Sequence, residues 1–409
     1  MEKKKIFIFN YYLYIGGAES ALLGLLNAID YTKYDVDLFL AMHVGEFMTL
    51  IPKEVNLLPE NSRYAGYACP LKKILFSKDF MIGFARLNAK RKFRNYAKSK
   101  GVKESAASFQ YVVKEMMPYL PEINPQKEYD LAISFIAPHN IVAEKVMAKK
   151  KICWIHTDYS VVDINSKQEL PVWAVFDHVV SISPDVTKTF LQVFPSLKNK
   201  IIEIENILSP AFIHSRAELI PKEILGKEMP NEENVVKLLS VGRFCEAKNY
   251  DNVPDICRRI NSSLVTCHSS LKVKWYIIGF GGDEALIRQK IDEAGMQDYV
   301  ILLGKKDNPY PYIKVCDIYC QPSRYEGKSV TVREAQMLCK PVVVTNYATA
   351  KSQVQDGVDG VIVPMDNEGC ARGLLTFIMD DKKQTNIVNC LHIHDYGNMG
   401  EVYKLYQLI

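Results

Sequence analysis

At 409 residues, 48% of them hydrophobic and 24% charged, the chain is too long for one ordinary core and has the composition of a soluble globular protein of two domains. Ten cysteines without a CxxC pair exclude a zinc framework and fit reduced thiols in the cytoplasm; no metal site is expected. No window approaches ~18–20 uninterrupted apolar residues, and the basic N-terminus leads into a short strand rather than a signal peptide, so neither a membrane span nor export is expected.

The net charge of +4 is unevenly placed: residues 1–208 carry 27 Lys/Arg against 22 Asp/Glu, and 209–409 carry 24 against 25. Residues 5–10 read as a buried strand. Gly16-Gly17-Ala18-Glu19 and a Leu-rich helix to about residue 28 follow, which is the opening of a doubly wound α/β domain. The glycine pair is not GxGxxG, so alone it marks a tight turn as readily as a phosphate site. Further strands are expected over 36–41, 55–58, 130–135, 151–155, 178–183 and 201–204, with helices near 138–149 and 184–194. Such alternation implies a parallel sheet with helices on both faces.

Residues 62–128 interrupt that rhythm as a helical insertion. Between Lys72 and Lys103 stand eleven Lys/Arg and one Asp, interleaved with Phe76, Phe80, Met81, Phe84, Leu87 and Phe93. A basic helix pair with an apolar face fits an anionic membrane surface, and no nucleic-acid motif accompanies it. The alternative is a solvated insertion whose apolar side packs on the sheet. His156 and Asp158 follow a strand at the end where α/β crevices form, placed to bind hydroxyls or move a proton. Asp35-Val36-Asp37 has a DxD look but opens a strand without a ligand cluster, so a structural role is expected. Asp356-Gly357-Val358-Asp359-Gly360 reads as a turn rather than a calcium loop.

Polar, Pro-containing sequence over 218–234 reads as a linker. A second α/β series begins at residue 235. Gly242-Arg243 ends its first strand, and Lys248 stands five positions after Arg243, so the two cations can converge on one diphosphate. Gly279-Phe280-Gly281-Gly282 and Gly304-Lys305-Lys306 end later strands. Residues 321–346 hold the densest chemistry: a strand, a turn carrying Glu326, a helix carrying Glu334, and a second strand after Lys340-Pro341. The start of that helix offers unpaired amides at Lys328, Ser329 and Val330, where an anion is favoured. The layout suits a diphosphate bearing hydroxylated sugars at both ends. Two Rossmann-like halves with a cleft between them are expected.

These motifs together resemble the family-4 retaining glycosyltransferases of the GT-B fold, in which two Rossmann-like domains with parallel sheets face each other across a cleft. The resemblance runs through Gly16–Glu19, the His156 loop, Arg243 with Lys248, the 279–282 turn, the Glu326/Glu334 pair and residues 356–364. The wording EGKSVTVREA is similar to members that build bacterial capsule, exopolysaccharide or O-antigen units. It implies an acceptor domain over 1–208, a donor domain over 209–390, and a segment 391–409 packing back on the first. By this resemblance Arg243 and Lys248 hold the donor diphosphate, and Glu334 binds the ribose. Glu326 and His156 flank the sugar, while the amides of Ser329 and Val330 take a phosphate oxygen. Gly17 and Gly279 approach the donor, and main chain near Lys305 reads the base. Lys328 stands where the family usually has an aromatic or small residue and is expected to tune donor choice. The implied substrates are a nucleotide diphosphate sugar, a UDP-sugar first, and a lipid-linked glycan acceptor. No cofactor or metal is implied, and the implied location is the inner face of the cell membrane. A sugar-nucleotide epimerase or phosphorylase on the same fold, or a non-catalytic sugar-binding protein, remain as alternatives.

Overall fold

The computed structural model describes residues 2–409 except 15, 68, 102–104, 158, 161, 221 and 328. The chain divides into two compact units, Met1–Ile207 with Met399–Ile409, and Leu208–Asn398.

The first unit is built on seven strands: β1 (Lys4–Asn10), β2 (Tyr34–Leu40), β3 (Asn56–Leu57), β4 (Tyr129–Ser134), β5 (Ala148–Ile155), β6 (His178–Ser181) and β7 (Ile201–Glu203). They form one parallel sheet in the order β3-β2-β1-β4-β5-β6-β7. Ile6, Phe7, Ile8 and Phe9 of β1 are all fully buried, as a strand covered on both faces requires. The short C-terminal helix Val402–Tyr406 packs on this unit. Tyr406 stacks on Tyr34 with centroids 4.4 Å apart, and its hydroxyl accepts from the Asp30 amide at 2.8 Å.

Asp37 is a structural residue. Its Oδ2 accepts from Tyr129 at 2.6 Å and Lys127 at 2.9 Å, and its Oδ1 from Asn56 at 2.9 Å. Burial alone would raise its pKa, but these bonds hold the carboxyl below the usual range.

The insertion between β3 and β4 is helical, with its longest helix at Phe80–Lys100 and the next at Ala107–Met116. Its buried face is made of Ile82, Gly83, Ala85, Ala89 and Ala97. Leu75 lies so close to Gly83 that a Cβ there would meet it at 2.5 Å. The large side chains Phe76, Phe80, Met81, Phe84 and Leu87 are exposed instead of packing on the sheet.

The second unit carries β8 (Val235–Val241), β9 (Lys272–Ile278), β10 (Val300–Gly304), β11 (Ile318–Gln321), β12 (Val342–Thr345) and β13 (Val361–Val363). Their order is β10-β9-β8-β11-β12-β13, so the direction of winding reverses between β8 and β11. The stretch read as a linker is not one. Ser209 caps a helix at Pro210–Ala217, its Oγ accepting from the Phe212 amide at 3.3 Å, and a second helix runs over Lys222–Glu228. Leu225 and Met229, four apart, give that polar segment its apolar edge. Glu228 accepts from Lys306 Nζ at 2.6 Å and from the Tyr312 hydroxyl, which ties the segment to the body of the unit.

No described helix is long and apolar enough to cross a membrane.

Candidate functional site

The carboxyl ends of β8 and β11 flank the winding reversal of the second unit, the place where open α/β sheets form ligand crevices. Glycines set the approach of the loops there. A Cβ on Gly279 would lie 1.9 Å from Gly242 O. Gly281 has φ +155°, and a Cβ on it would meet Phe244 O at 2.3 Å. Only glycine fits either position. Phe244, fully buried, anchors the loop after β8, its amide donating to Phe280 O at 2.8 Å.

The loops after β8 and β11 are stitched together. Asn249, at φ +59°, donates its side-chain amide to Pro322 O at 2.9 Å. The Arg324 amide donates to Ala247 O at 2.8 Å, and the guanidinium grips Asp251 in a fork at 2.9 and 2.6 Å. This stitching brings Lys248 Nζ to 2.6 Å from Glu326 Oε1. The same oxygen accepts from Gln321 Nε2 at 2.9 Å and Ser323 Oγ at 2.5 Å. Tyr319 in turn donates to Gln321 Oε1 at 2.9 Å, so a buried polar chain orients the carboxylate. Glu326 Oε2 has no hydrogen bond among the described residues. Arg243 is exposed and makes neither an ion pair nor a hydrogen bond among them, which leaves its whole fork for an incoming anion.

The next helix is Val330–Met337. The Ser329 amide, expected to be unpaired, is not. It donates to Gln353 Oε1 at 3.1 Å, and Gln353 Nε2 returns a bond to Ser329 O. A side chain 24 positions away caps the turn, which spacing along the chain cannot show. Val330 keeps a free amide among the described residues. Lys328 lies outside the described residues.

Glu334, on the same helix, is buried and among the described residues accepts only from the Tyr310 hydroxyl, at 2.8 Å. Burial pushes its pKa up to about 7, and the Tyr310 bond opposes this only in part. At the end of β10, Gly304 has φ +71° and Lys305 Nζ lies 5.5 Å from the Phe280 ring centroid.

In the first unit His156 follows β5. Its ring lies 4.6 Å from that of Phe135, and both ring nitrogens are buried without a partner in hydrogen-bond geometry among the described residues. Burial, offset only in part by the Phe135 backbone, pushes its pKa down to about 4, so the imidazole is neutral at physiological pH. With one N–H donor and one bare nitrogen it can exchange hydrogen bonds with hydroxyls, but it does not carry the second proton of an imidazolium. Asp158, its expected companion, lies outside the described residues. A second histidine escaped the sequence reading: His139, buried, bonds Ser134 Oγ at 2.8 Å through Nδ1. Burial, followed by the proximity of His156, brings its pKa down to about 3. Its signal was its place just after β4, the strand beside β1 at this sheet's own winding reversal. Glu19 is a further buried carboxyl that the local pattern does not single out. It is buried with a raised pKa, and a Cβ on Gly16 would sit 2.2 Å from its Oε2. A Cβ on Gly17 would meet nothing within 4 Å, so that glycine leaves space rather than relieving a clash. Among the described residues, no group of three or more His, Cys, Asp or Glu is placed to hold a metal ion.

The chain is similar to known proteins in part of its sequence and in its whole fold. Residues 222–389 match the model of the family described as glycosyl transferases group 1. A Campylobacter jejuni relative, N-acetylgalactosamine-N,N'-diacetylbacillosaminyl-diphospho-undecaprenol 4-alpha-N-acetylgalactosaminyltransferase, is 31% identical over 149 residues, 36% of this chain and 38% of that one. The lipopolysaccharide core biosynthesis glycosyltransferase LpsE of Rhizobium meliloti is 22% identical over 156 residues, 38% of this chain and 43% of that one. The chain thus spans about two fifths of the length of these relatives. The crystal structure of Anabaena Alr3699/HepE with UDP and glucose superposes with a TM-score of 0.64 at 16% identity, covering 99% of this chain and 98% of that one. The fold is GT-B, two Rossmann-like domains with parallel sheets.

Proposed function

We propose that this chain, whose residues 222–389 belong to the glycosyl transferases of group 1, moves a sugar from a nucleotide diphosphate sugar to a lipid-linked glycan in surface polysaccharide synthesis. The observation that carries the reading is the meeting of Lys248 and Glu326 at 2.6 Å at the winding reversal, with Arg243 exposed on the same loop as Lys248. Two cations beside a partly open carboxylate suit a diphosphate joined to a hydroxylated ring.

In this reading Arg243 forks onto the diphosphate, and Lys248 is shared between it and Glu326. Glu326 turns its Oε2, free of hydrogen bonds among the described residues, to a hydroxyl of the donor sugar. Val330 offers its amide to a phosphate oxygen, and Glu334 accepts from the ribose hydroxyls. Lys305 lies at the base, which UDP complexes of similar structures make uracil first. Gly17 leaves room for the donor phosphate or the acceptor, and His156 exchanges hydrogen bonds at the reacting sugar. Transfer retains the anomeric configuration. The acceptor oxygen bonds the anomeric carbon on the face from which the bond to the distal phosphate breaks, and the departing phosphate oxygen takes the acceptor proton. Arg243 and Lys248 supply the charge that a metal supplies elsewhere, so turnover is metal-independent. A lipid-linked acceptor is the substrate class named for the Campylobacter relative. Residues 72–103 hold the protein at the anionic inner face of the membrane.

The test is a thermal-shift panel of UDP-, GDP-, ADP- and TDP-sugars. Ligand at ~100 times its dissociation constant adds about 2.7 kcal/mol, which for a unit of this size raises Tm by roughly 5–10 °C. One base should shift the second unit's transition, with or without EDTA. No shift with any of the four would overturn the reading.

A further inference from the structure

The outward face of helix Phe80–Lys100 is divided along its length rather than around its circumference. At ~100° per residue, Phe80, Phe84, Leu87, Arg91, Arg94 and Lys98 all fall within roughly 80° of one another. The first three are 45%, 58% and 41% exposed, and the three cations are exposed as well. The opposite side is spent on packing. Ile82, Ala85 and Ala89 are buried, and Phe93 and Tyr96 lie against Tyr111 of the neighbouring helix. Phe76, 93% exposed in the turn before the helix, extends the aromatic end. Arg91, Arg94 and Lys98 form no ion pair among the described residues. The one acidic residue between 72 and 100, Asp79, is turned inward and bound by Arg63 at 3.0 Å and Ser62 at 2.7 Å. No carboxylate on this helix therefore opposes an anionic surface.

A helix lying flat in a membrane interface carries its apolar and charged residues on opposite sides. Laid flat on its outward face, this one would either push Arg91, Arg94 and Lys98 among acyl chains or leave the phenylalanines in water. We propose that the helix enters an anionic bilayer obliquely, with Phe76, Phe80 and Phe84 among the acyl chains and Arg91, Arg94 and Lys98 on the lipid phosphates, an arrangement that rests on the membrane contact proposed above. Phe84 and Lys98 are about 21 Å apart along the axis, so a depth difference of about 5–10 Å sets a tilt of roughly 15–30°.

Depth-resolved quenching tests it. The native tryptophans Trp154, Trp173 and Trp275 are all buried and give a common background. Phe76→Trp and Lys98→Trp variants of the full chain are mixed with phosphatidylglycerol vesicles whose acyl chains are brominated. Strong quenching of the Phe76→Trp signal, with the Lys98→Trp signal near background, is the expected result. Equal quenching of both overturns the tilt while leaving membrane contact standing. Failure to co-sediment with the vesicles overturns the contact itself, and donor thermal shifts remain as a separate readout of nucleotide-sugar binding. Arg91→Gln with Arg94→Gln should weaken partitioning roughly tenfold to thirtyfold and flatten its salt dependence. Partitioning into phosphatidylcholine as strong as into phosphatidylglycerol overturns the role given to the cations.

Discussion

Replacing Glu334 by Gln should change how stability depends on pH, and the size of the change follows from burial. The wild-type carboxyl ordinarily titrates at 4.5 and in the folded protein at about 7. At about 1.4 kcal/mol per pH unit, ionised Glu334 costs the unliganded protein about 3 kcal/mol. A raised acid pKa contributes stability that is complete below pH 4.5 and is lost as the pH rises through about 7. Wild type should therefore fall relative to Glu334→Gln by about 3 kcal/mol between pH 4.5 and 8, or roughly 6–12 °C in the second unit's transition. Calorimetry of both proteins across that range is the assay. The depressed histidines His139 and His156 titrate in the opposite sense, but they are present in both proteins and cancel. Parallel Tm-against-pH curves would refute the claim that this carboxyl is held neutral by burial.

Three further outcomes follow from the same contacts. Arg243→Ala should leave stability within about 0.5 kcal/mol, because the side chain is exposed and makes no ion pair or hydrogen bond among the described residues, yet weaken UDP binding by about tenfold to a hundredfold by titration calorimetry. Gly281→Ala should destabilise the second unit by about 1–3 kcal/mol in thermal melts, since its φ is +155° and the new Cβ would meet Phe244 O at 2.3 Å; a neutral result would mean the loop relaxes freely. Asp37→Ala should lower the first unit's melting transition and leave UDP binding in the second unit unchanged; loss of UDP binding would contradict its structural role.

The sheet strands were legible because parallel strands buried on both faces read as unbroken apolar runs, as Ile6–Phe9 and Val342–Val344 do. The Lys248–Glu326 pair was legible in part: strand-end loops and residue types were visible, but not that one oxygen of Glu326 collects three donors. What periodicity cannot show is which neighbour covers a face. Gly83, Ala85 and Ala89 take the packed side of Phe80–Lys100, leaving Phe80 and Phe84 outside, although larger side chains are the usual choice for a core. The Gln353 cap on Ser329 and the clasp of Glu228 by Lys306 are contacts between distant positions, silent in local pattern. The helix at Pro210–Ala217 could have been found, since Ser209-Pro210 is a capped helix start in sequence. His139 and Glu19 were passed over because burial, not residue type, makes them distinctive.

Product analysis tests transfer most directly. Wild type, Lys248→Ala and Glu326→Ala are each incubated with the UDP-sugar that gives the largest thermal shift and with a lipid-linked acceptor, and the product is examined by NMR. Wild type should release UDP and form a glycoside that keeps the donor's anomeric configuration. Both variants should lose transfer while remaining folded. Full transfer by both variants, an inverted product, or an epimerised sugar nucleotide without any glycoside would contradict the account.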